Sequence, residues 1–175
     1  MGKVDDNKQQ KLNALLNAAY DLFTTQSVEK TTIAEISKAA DVAKGTFYLY
    51  FKDKYEIRNR LISHESSKLF KDAVAALEKE SSTVSEEPAF EEKMIFIINY
   101  IVDALDGNHS LLTFISKNLS WGVFKEALTT NVASNDINFK DIYYEMLSTS
   151  GLSIEEPEIL LFLVVELVGN YQGIQ

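Results

Sequence analysis

The sequence has no cysteine and only two histidines in 175 residues. The missing cysteines exclude a disulfide framework, a thiol nucleophile and a cysteine-ligated zinc site. Two histidines make a metal site or a catalytic triad hard to assemble. The nearest approach to a His-Glu-x-x-His zinc motif starts at His64, and it has Lys68 in place of the second ligand. The composition therefore predicts no metal, no cofactor and no enzyme.

Long apolar runs and turn-forming residues are also scarce. The longest uninterrupted apolar run covers residues 159–165, whereas a helix needs about 20 apolar residues to span a bilayer. The polar residues 1–11 do not form a signal segment. We therefore expect a cytoplasmic protein without a membrane partner. Seven glycines and two prolines disfavour an all-β fold with many tight turns.

Charge is distributed unevenly along the chain, whose formal net charge is -9. Residues 1–60 carry 10 basic and 8 acidic side chains, whereas residues 61–175 carry 7 and 18. A basic-leaning N-terminal third on an acidic remainder fits a small polyanion-binding head joined to a different module. Chance clustering of charges would give the same counts.

Apolar residues recur with the period of an α-helix throughout, and no period-two run is long enough for a strand, so we predict an all-α fold. One face of the first helix carries Leu12, Leu15, Leu16, Ala19 and Phe23, and Asp5 or Asp6 can cap its start. The later helices are predicted over about residues 32–40, 44–51, 54–80, 89–105, 110–119, 121–129 and 139–148, with a last one from Pro157. Loops are predicted at residues 81–88 and 131–136.

Two short helices joined by a three-residue turn at residues 41–43 are typical of a helix-turn-helix. Thr32 can cap the first of them with Glu35 as its capping-box partner. In this motif the second helix enters the major groove of DNA. Phe47 and Phe51 can point inward from that helix, which leaves its other side chains for DNA. An ordinary corner of three helices in a bundle would show the same pattern.

The residues of these two helices carry a family resemblance. Residues 31–36 (TTIAEI) and 40–54 (ADVAKGTFYLYFKDK) resemble the N-terminal domain of TetR/AcrR-type transcriptional regulators, and the similarity covers about residues 8–60. It implies a dimeric DNA-binding regulator, usually a repressor, whose helical C-terminal domain binds a small effector. We therefore expect a DNA-binding domain at residues 1–52 and a ligand-binding and dimerisation domain at residues 53–175.

The resemblance also implies which residues contact DNA: Thr32, Lys44, Gly45, Thr46, Tyr48, Leu49, Tyr50 and Lys54. In this set Thr32, Tyr48 and Lys54 correspond to phosphate contacts. The sequence departs from the family pattern at three positions. Ser27 and Asp41 stand where glycine is customary, and Ala43 stands where a serine often caps the second helix. Tyr50 replaces a histidine of many relatives, so their base preference does not transfer.

The C-terminal part is rich in bulky side chains that can form a core or line an effector pocket. The pocket candidates are Phe96, Tyr100, Phe114, Trp121, Phe124, Tyr143, Phe162 and Glu166. Glu166 follows the longest apolar run and can lie in a pocket, at a dimer interface or on the surface. Relatives usually finish with two long helices that pair across the dimer. Only one begins here before Gln175, so a final helix can be absent from this sequence.

These observations together predict a DNA-binding transcriptional regulator. We expect a homodimeric repressor that a small, largely apolar effector releases from double-stranded operator DNA. The alternative is a helical interaction or scaffold protein without DNA binding, which would leave Lys44, Tyr50 and Lys54 without a role.

Overall fold

The computed structural model describes residues 3–82, 88–129, 139–159, 162–163 and 166. The predicted all-α class is confirmed, because these residues form helices and contain no strand. The helices are α1 (Lys3–Gln26), α2 (Ile33–Ala39), α3 (Lys44–Phe47), α4 (Lys54–Ser81), α5 (Phe90–Asp106), α6 (His109–Asn118), α7 (Trp121–Thr129) and α8 (Phe139–Ser150). Helical backbone resumes at residues 157–159, which confirms the start predicted at Pro157. Among the described helices, none is both long and apolar enough to cross a membrane.

The chain divides into two compact units, Met1–Leu61 and Ile62–Gln175. The sequence predicts that the DNA-binding domain ends at residue 52 and that the ligand-binding domain begins at residue 53. This division by function stays a prediction. The predicted loop at residues 131–136 lies outside the described residues, as do residues 83–87 of the loop predicted at 81–88.

The core of the first unit forms on the predicted apolar face of α1. Leu15, Ala19 and Phe23 are buried there, together with Ile36 of α2 and Phe47 of α3. The predicted cap at Asp5 or Asp6 is wrong, because α1 already begins at Lys3. Acidic residues inside a first turn also favour a helix through its dipole, so an aspartate near a helix start need not mark the cap.

Two helix caps are formed by hydrogen bonds, and the one at Thr32 confirms the prediction. The backbone amide of Glu35 donates to Thr32 Oγ1 over 3.2 Å, and the amide of Thr32 donates to Glu35 Oε2 over 2.8 Å. These two bonds form the capping box at the start of α2. At the start of α4, Asp53 Oδ1 accepts from the amides of Tyr55 and Glu56, each over 2.9 Å. Local sequence therefore fixes where both helices begin.

The third helix is shorter than the predicted residues 44–51. Regular α-helix covers Lys44–Phe47 only, and the chain then tightens into turns in which the Leu49 amide donates to the Thr46 carbonyl over 3.1 Å. Aromatic residues are mediocre helix formers, and three-residue hydrogen bonding is common at helix ends. The inward placement of Phe47 and Phe51 is confirmed, because both are buried with ring centroids 5.5 Å apart.

The turns on either side of α2 contain residues with left-handed backbone. Ser27 has a φ of 78° and Asp41 a φ of 53°, and both stand where the family resemblance predicts glycine. A side chain in this conformation places its Cβ close to the following carbonyl oxygen, a clash that glycine avoids. The tight turn predicted at residues 41–43 is thus confirmed, with a non-glycine residue in its left-handed position.

Asp41→Gly is expected to raise the free energy of unfolding by about 0.5–1 kcal/mol, because relief of the left-handed strain outweighs the extra freedom of glycine in the unfolded chain. The bond from the Asp41 amide to the Lys38 carbonyl, 3.2 Å long, is retained in the variant. Urea unfolding measures the change. The matched control Asp41→Ala keeps the Cβ and loses the polar side chain that tolerates this conformation, so it should be less stable than the wild type. A glycine variant no more stable than the alanine variant would contradict the prediction.

The second unit contains two apolar clusters. The first, which we call the aromatic cluster, has Phe90, Phe124, Tyr143 and Leu147 buried at its centre. The second, the α4–α5 cluster, has Phe70, Ala73, Leu77 and Ile97. Met146 of α8 packs against both clusters, so the two form a connected core. Gly151, with a φ of 72°, follows the last residue of α8 in the left-handed conformation that commonly ends a helix.

Candidate functional site

The exposed side of α3 and of the turn that follows it carries side chains that are wholly or partly open to solvent. Lys44 and Gly45 are exposed and Thr46 is half-buried. Tyr48 is 52% exposed, and Leu49 is 81% exposed although it is strongly apolar. A lysine, a tyrosine and a leucine on one short exposed segment suit contact with a partner that is anionic and also offers apolar groups.

Among the described residues, none would come within 4 Å of a Cβ built on Gly45. Packing against the described part of the chain therefore does not require glycine there. A glycine on an exposed helix leaves room for a partner to approach the backbone closely, which is the role that the family resemblance implies for it.

Tyr50 is tied to the first helix. Its phenol donates a hydrogen bond to the Lys8 carbonyl over 3.1 Å, and its side chain is half-buried. The bond joins the turn after α3 to α1, so part of the predicted DNA-contacting side chain already stabilises the unit. The predicted contact of Tyr50 with bases stays a prediction.

The hydroxyl of Thr32 is engaged in the capping box. It donates to Glu35 Oε2 over 2.7 Å as well as accepting from the Glu35 amide. The hydrogen bonds from the hydroxyl and amide of Thr32 lower the pKa of Glu35. A phosphate at this helix start would compete with the Glu35 carboxylate for the Thr32 hydroxyl proton.

Lys54 at the start of α4 reaches back to the turn between α1 and α2. Its Nζ donates to the carbonyls of Val28, Glu29 and Thr31 over 2.8, 2.9 and 3.1 Å. The pKa of the Glu29 carboxyl is lowered mainly by hydrogen bonds from its own amide and from Ser27, with a smaller contribution from the charges of Lys54 and Arg58. The resemblance indicated Lys54 as a phosphate contact and gave no sign of these bonds.

Tyr55 and Arg58 were not predicted as site residues. Tyr55 is 48% exposed, and its ring centroid lies 5.3 Å from Arg58 Cζ and 5.6 Å from Lys54 Nζ. The i, i+3 spacing of Tyr55 and Arg58 on α4 is the sequence signal that could have revealed the pair.

The predicted pocket residues of the second unit fall into separate groups. Phe124 and Tyr143 are buried in the aromatic cluster, and Trp121 and Phe162 pack against it. The Phe162 ring centroid lies 5.2 Å from that of Trp121 and 5.3 Å from that of Phe124. The remaining candidates lie elsewhere, with Phe96 and Tyr100 packed on the α4–α5 cluster, Phe114 buried on α6 and Glu166 half-buried.

Two tyrosines of α8 make polar contacts that the sequence did not indicate. The Tyr143 hydroxyl donates to the Pro157 carbonyl over 3.1 Å, and the Tyr144 hydroxyl donates to Glu158 Oε2 over 2.7 Å. Burial, with a smaller effect of the Glu158 charge, raises the pKa of Tyr143. The bond to Glu158 raises the pKa of Tyr144 to about 12. Polar groups therefore border the aromatic cluster.

The first unit has the architecture of a helix-turn-helix domain, with α2 and α3 joined by a tight turn and an exposed polar and aromatic segment at α3. Residues 15–61 match the family model described as "Bacterial regulatory proteins, tetR family". The helix-turn-helix unit of this chain is therefore similar to the N-terminal domain of TetR-family regulators.

The similarity to individual relatives extends beyond the matched domain. The chain is 31% identical over 105 residues to the fatty acid metabolism regulator protein of Bacillus subtilis, a match that covers 59% of this chain and 50% of the relative. It is 28% identical over 151 residues to an uncharacterized HTH-type transcriptional regulator of Haemophilus influenzae, over 86% and 74% of the two chains. The matched region thus spans about half the length of the Bacillus subtilis relative.

Among solved structures, the fatty acid degradation regulator FadR from Bacillus halodurans shares the fold with a TM-score of 0.60 at 20% identity, over 92% of this chain and 83% of that one. FadR from Bacillus subtilis in complex with stearoyl-CoA has a TM-score of 0.54 at 20% identity, over 91% and 86%. Both similarities show that an N-terminal helix-turn-helix and a helical C-terminal part occur together in this fold.

Proposed function

We propose that this chain is a DNA-binding transcriptional regulator, a repressor that acts as a homodimer and leaves its operator when a small-molecule effector binds. The observation that carries the proposal is the exposed α3 segment with Lys44, Tyr48 and Leu49, located inside the region that matches the family model. Lys44 and Leu49 lie outside the buried core and Tyr48 touches it through its ring contact with Phe47, so this exposed set suits a DNA groove.

For DNA binding, the proposal places α3 in the major groove. Lys44 and Thr46 offer hydrogen-bond donors to base edges or phosphates, and Leu49 offers an apolar contact to the methyl group of thymine. Tyr48 reaches a phosphate, Gly45 allows close approach, and Tyr50 adds contacts beside them. Thr32 adds a phosphate contact at the start of α2.

A homodimer presents two copies of α3, so its DNA site should have approximate two-fold symmetry with one half-site for each copy. The dimer interface is assigned to residues 53–175. The charge distribution supports DNA binding by the first part of the chain and dimerisation by the second. The basic-leaning residues 1–60 favour binding to DNA, whereas the acidic residues 61–175 disfavour it.

The effector in this proposal binds among the helices of the second unit. The aromatic cluster, with Trp121, Phe124, Tyr143 and Phe162, supplies apolar surface bordered by the Tyr144 hydroxyl. Phe96, Tyr100, Phe114 and Glu166 remain further candidates. A long-chain acyl-CoA is the first probe to use, since one relative is named for fatty acid metabolism and the FadR structure from Bacillus subtilis is a complex with stearoyl-CoA. The signal passes along α4, one continuous helix from Lys54 to Ser81.

The DNA-binding proposal is tested by selecting bound DNA from a random pool. We expect enrichment of a two-fold symmetric site whose binding constant falls steeply with salt, because each phosphate neutralised by a cation releases counterions. Lys44→Met should reduce the slope of log K against log salt by about one per half-site. The control Lys68→Met removes an exposed lysine of the second unit and should leave the slope unchanged. If no sequence is enriched, an interaction protein without DNA binding becomes the better interpretation.

A further inference from the structure

The geometry points to Lys54 as a positioning residue that fixes the start of α2 for DNA, and not as a phosphate ligand itself. This inference rests on the proposed DNA-binding function. We call Lys54 with the carbonyls of Val28, Glu29 and Thr31 the Lys54 clamp.

The ammonium of Lys54 has no donor to spare. A lysine ammonium carries three protons, and the clamp has three acceptors at 2.8, 2.9 and 3.1 Å from Nζ. Val28 and Thr31 are both buried, and the Lys54 side chain is half-buried. A phosphate oxygen could bind Nζ only by displacing one of these carbonyls, which would then lose its charged donor.

The clamp acts on the residue that precedes the helix cap. Thr31 is held on one side by Lys54 and on the other by its own hydroxyl, which donates to the Ser27 carbonyl over 2.7 Å. The next residue is Thr32, whose capping box opens α2. Fixing the Thr31 carbonyl therefore fixes the place where the exposed start of α2 meets a phosphate.

Arginine at position 54 separates the two roles. A guanidinium is a planar fork that suits phosphate oxygens well. It cannot direct three protons to three carbonyls that converge on one point, as a tetrahedral ammonium does. Lys54→Arg should therefore preserve a direct phosphate contact but fail to restore the clamp.

The experiment measures binding to the DNA site that the wild type selects, over a range of salt concentrations, for Lys54→Met, Lys54→Arg and the control Lys44→Met. Both Lys54 variants are expected to bind about tenfold more weakly, the effect of losing about one good polar contact. Their slope of log K against log salt should equal that of the wild type, because in this inference the Lys54 ammonium does not contact a DNA phosphate. Lys44→Met should lower the slope by about one per half-site.

A second readout follows the clamp without DNA. Amide hydrogen exchange at Thr32–Glu35 is expected to be faster in both Lys54 variants, while exchange at Phe47 and Phe51 stays at the wild-type rate. Circular dichroism and urea unfolding confirm that the variants are folded. If Lys54→Met does not fold, Lys54→Arg alone decides between the two roles.

Several results would overturn the inference. They are wild-type affinity for Lys54→Arg, a slope lowered by about one per half-site for Lys54→Met, and unchanged amide exchange at the start of α2. Loss of folding in both variants would also overturn it, because Lys54 would then support the whole unit. Failure of the proposed function looks different, since the wild type itself would then select no DNA.

Discussion

Phe47→Ala is expected to destabilise the first unit severely and to weaken DNA binding. The Phe47 side chain is 0% exposed, and its ring packs against Phe51 at 5.5 Å and Tyr48 at 5.6 Å between centroids. Removing a buried phenylalanine side chain costs about 3–5 kcal/mol, because apolar burial is lost and a cavity remains. Whole domains are stable by only about 5–15 kcal/mol, so a unit of this size should lose most of its stability.

The control is Leu49→Ala, two residues further along. Leu49 is 81% exposed, so the free energy of unfolding should change by less than about 0.5 kcal/mol. The same variant should nevertheless weaken DNA binding, since Leu49 belongs to the proposed contact surface. Urea unfolding followed by circular dichroism, and DNA binding at fixed salt, distinguish the two effects. Equal stability losses in the two variants would contradict the assignment of Phe47 to the core and Leu49 to the surface.

The effector and the operator are expected to weaken each other's binding by the same factor. An effector can release DNA only by binding the DNA-incompetent state more tightly than the competent one. A coupling free energy of about 1–3 kcal/mol corresponds to a change of about 5–150-fold in each affinity. An effector of the proposed function should lower operator affinity within this range, and the operator should lower effector affinity equally; a long-chain acyl-CoA is the proposed first probe.

The single tryptophan of the chain provides the measurement. Trp121 stacks on Phe124 with ring centroids 5.9 Å apart, so its fluorescence should respond to a ligand in the aromatic cluster. Titrations are made with and without the selected operator. Phe162→Ala should weaken binding of the ligand without changing the affinity for DNA. Leu152→Ala serves as its control, because Leu152 is exposed. A ligand that binds equally well with and without operator is not the effector. If the aromatic cluster binds no ligand, the proposed effector-sensing role of the second unit is wrong.

Local features were predictable because their determinants lie within four residues of one another. The capping box of Thr32 and Glu35, the Asp53 cap of α4 and the inward pair Phe47 and Phe51 all follow from spacing along one turn of helix. The tight turn that begins at Asp41 was predictable for the same reason. The cap of α1 was mispredicted, since several polar residues near that start satisfy the same rule.

The length of α3 depended on more than periodicity. Residues 44–51 fit a helical pattern, but the regular helix ends at Phe47. Burial of Phe47 and Phe51 in the same core is compatible with the tighter turns that follow, so packing and the modest helix propensity of aromatic residues decide the outcome together.

The sequence by itself determined the helices, most of their ends and the core-facing residues of α1 and α3, because periodicity and capping act over a few residues. Only the tertiary structure decided which distant polar groups meet. Lys54 binds carbonyls 23 to 26 residues away, Tyr50 reaches Lys8 across 42 residues, and Tyr144 meets Glu158 across 14. Such pairs leave no periodic signal, since the packing of helices against one another brings them within hydrogen-bond distance. For Lys54, that packing is the basis of the proposed role in holding the turn before α2.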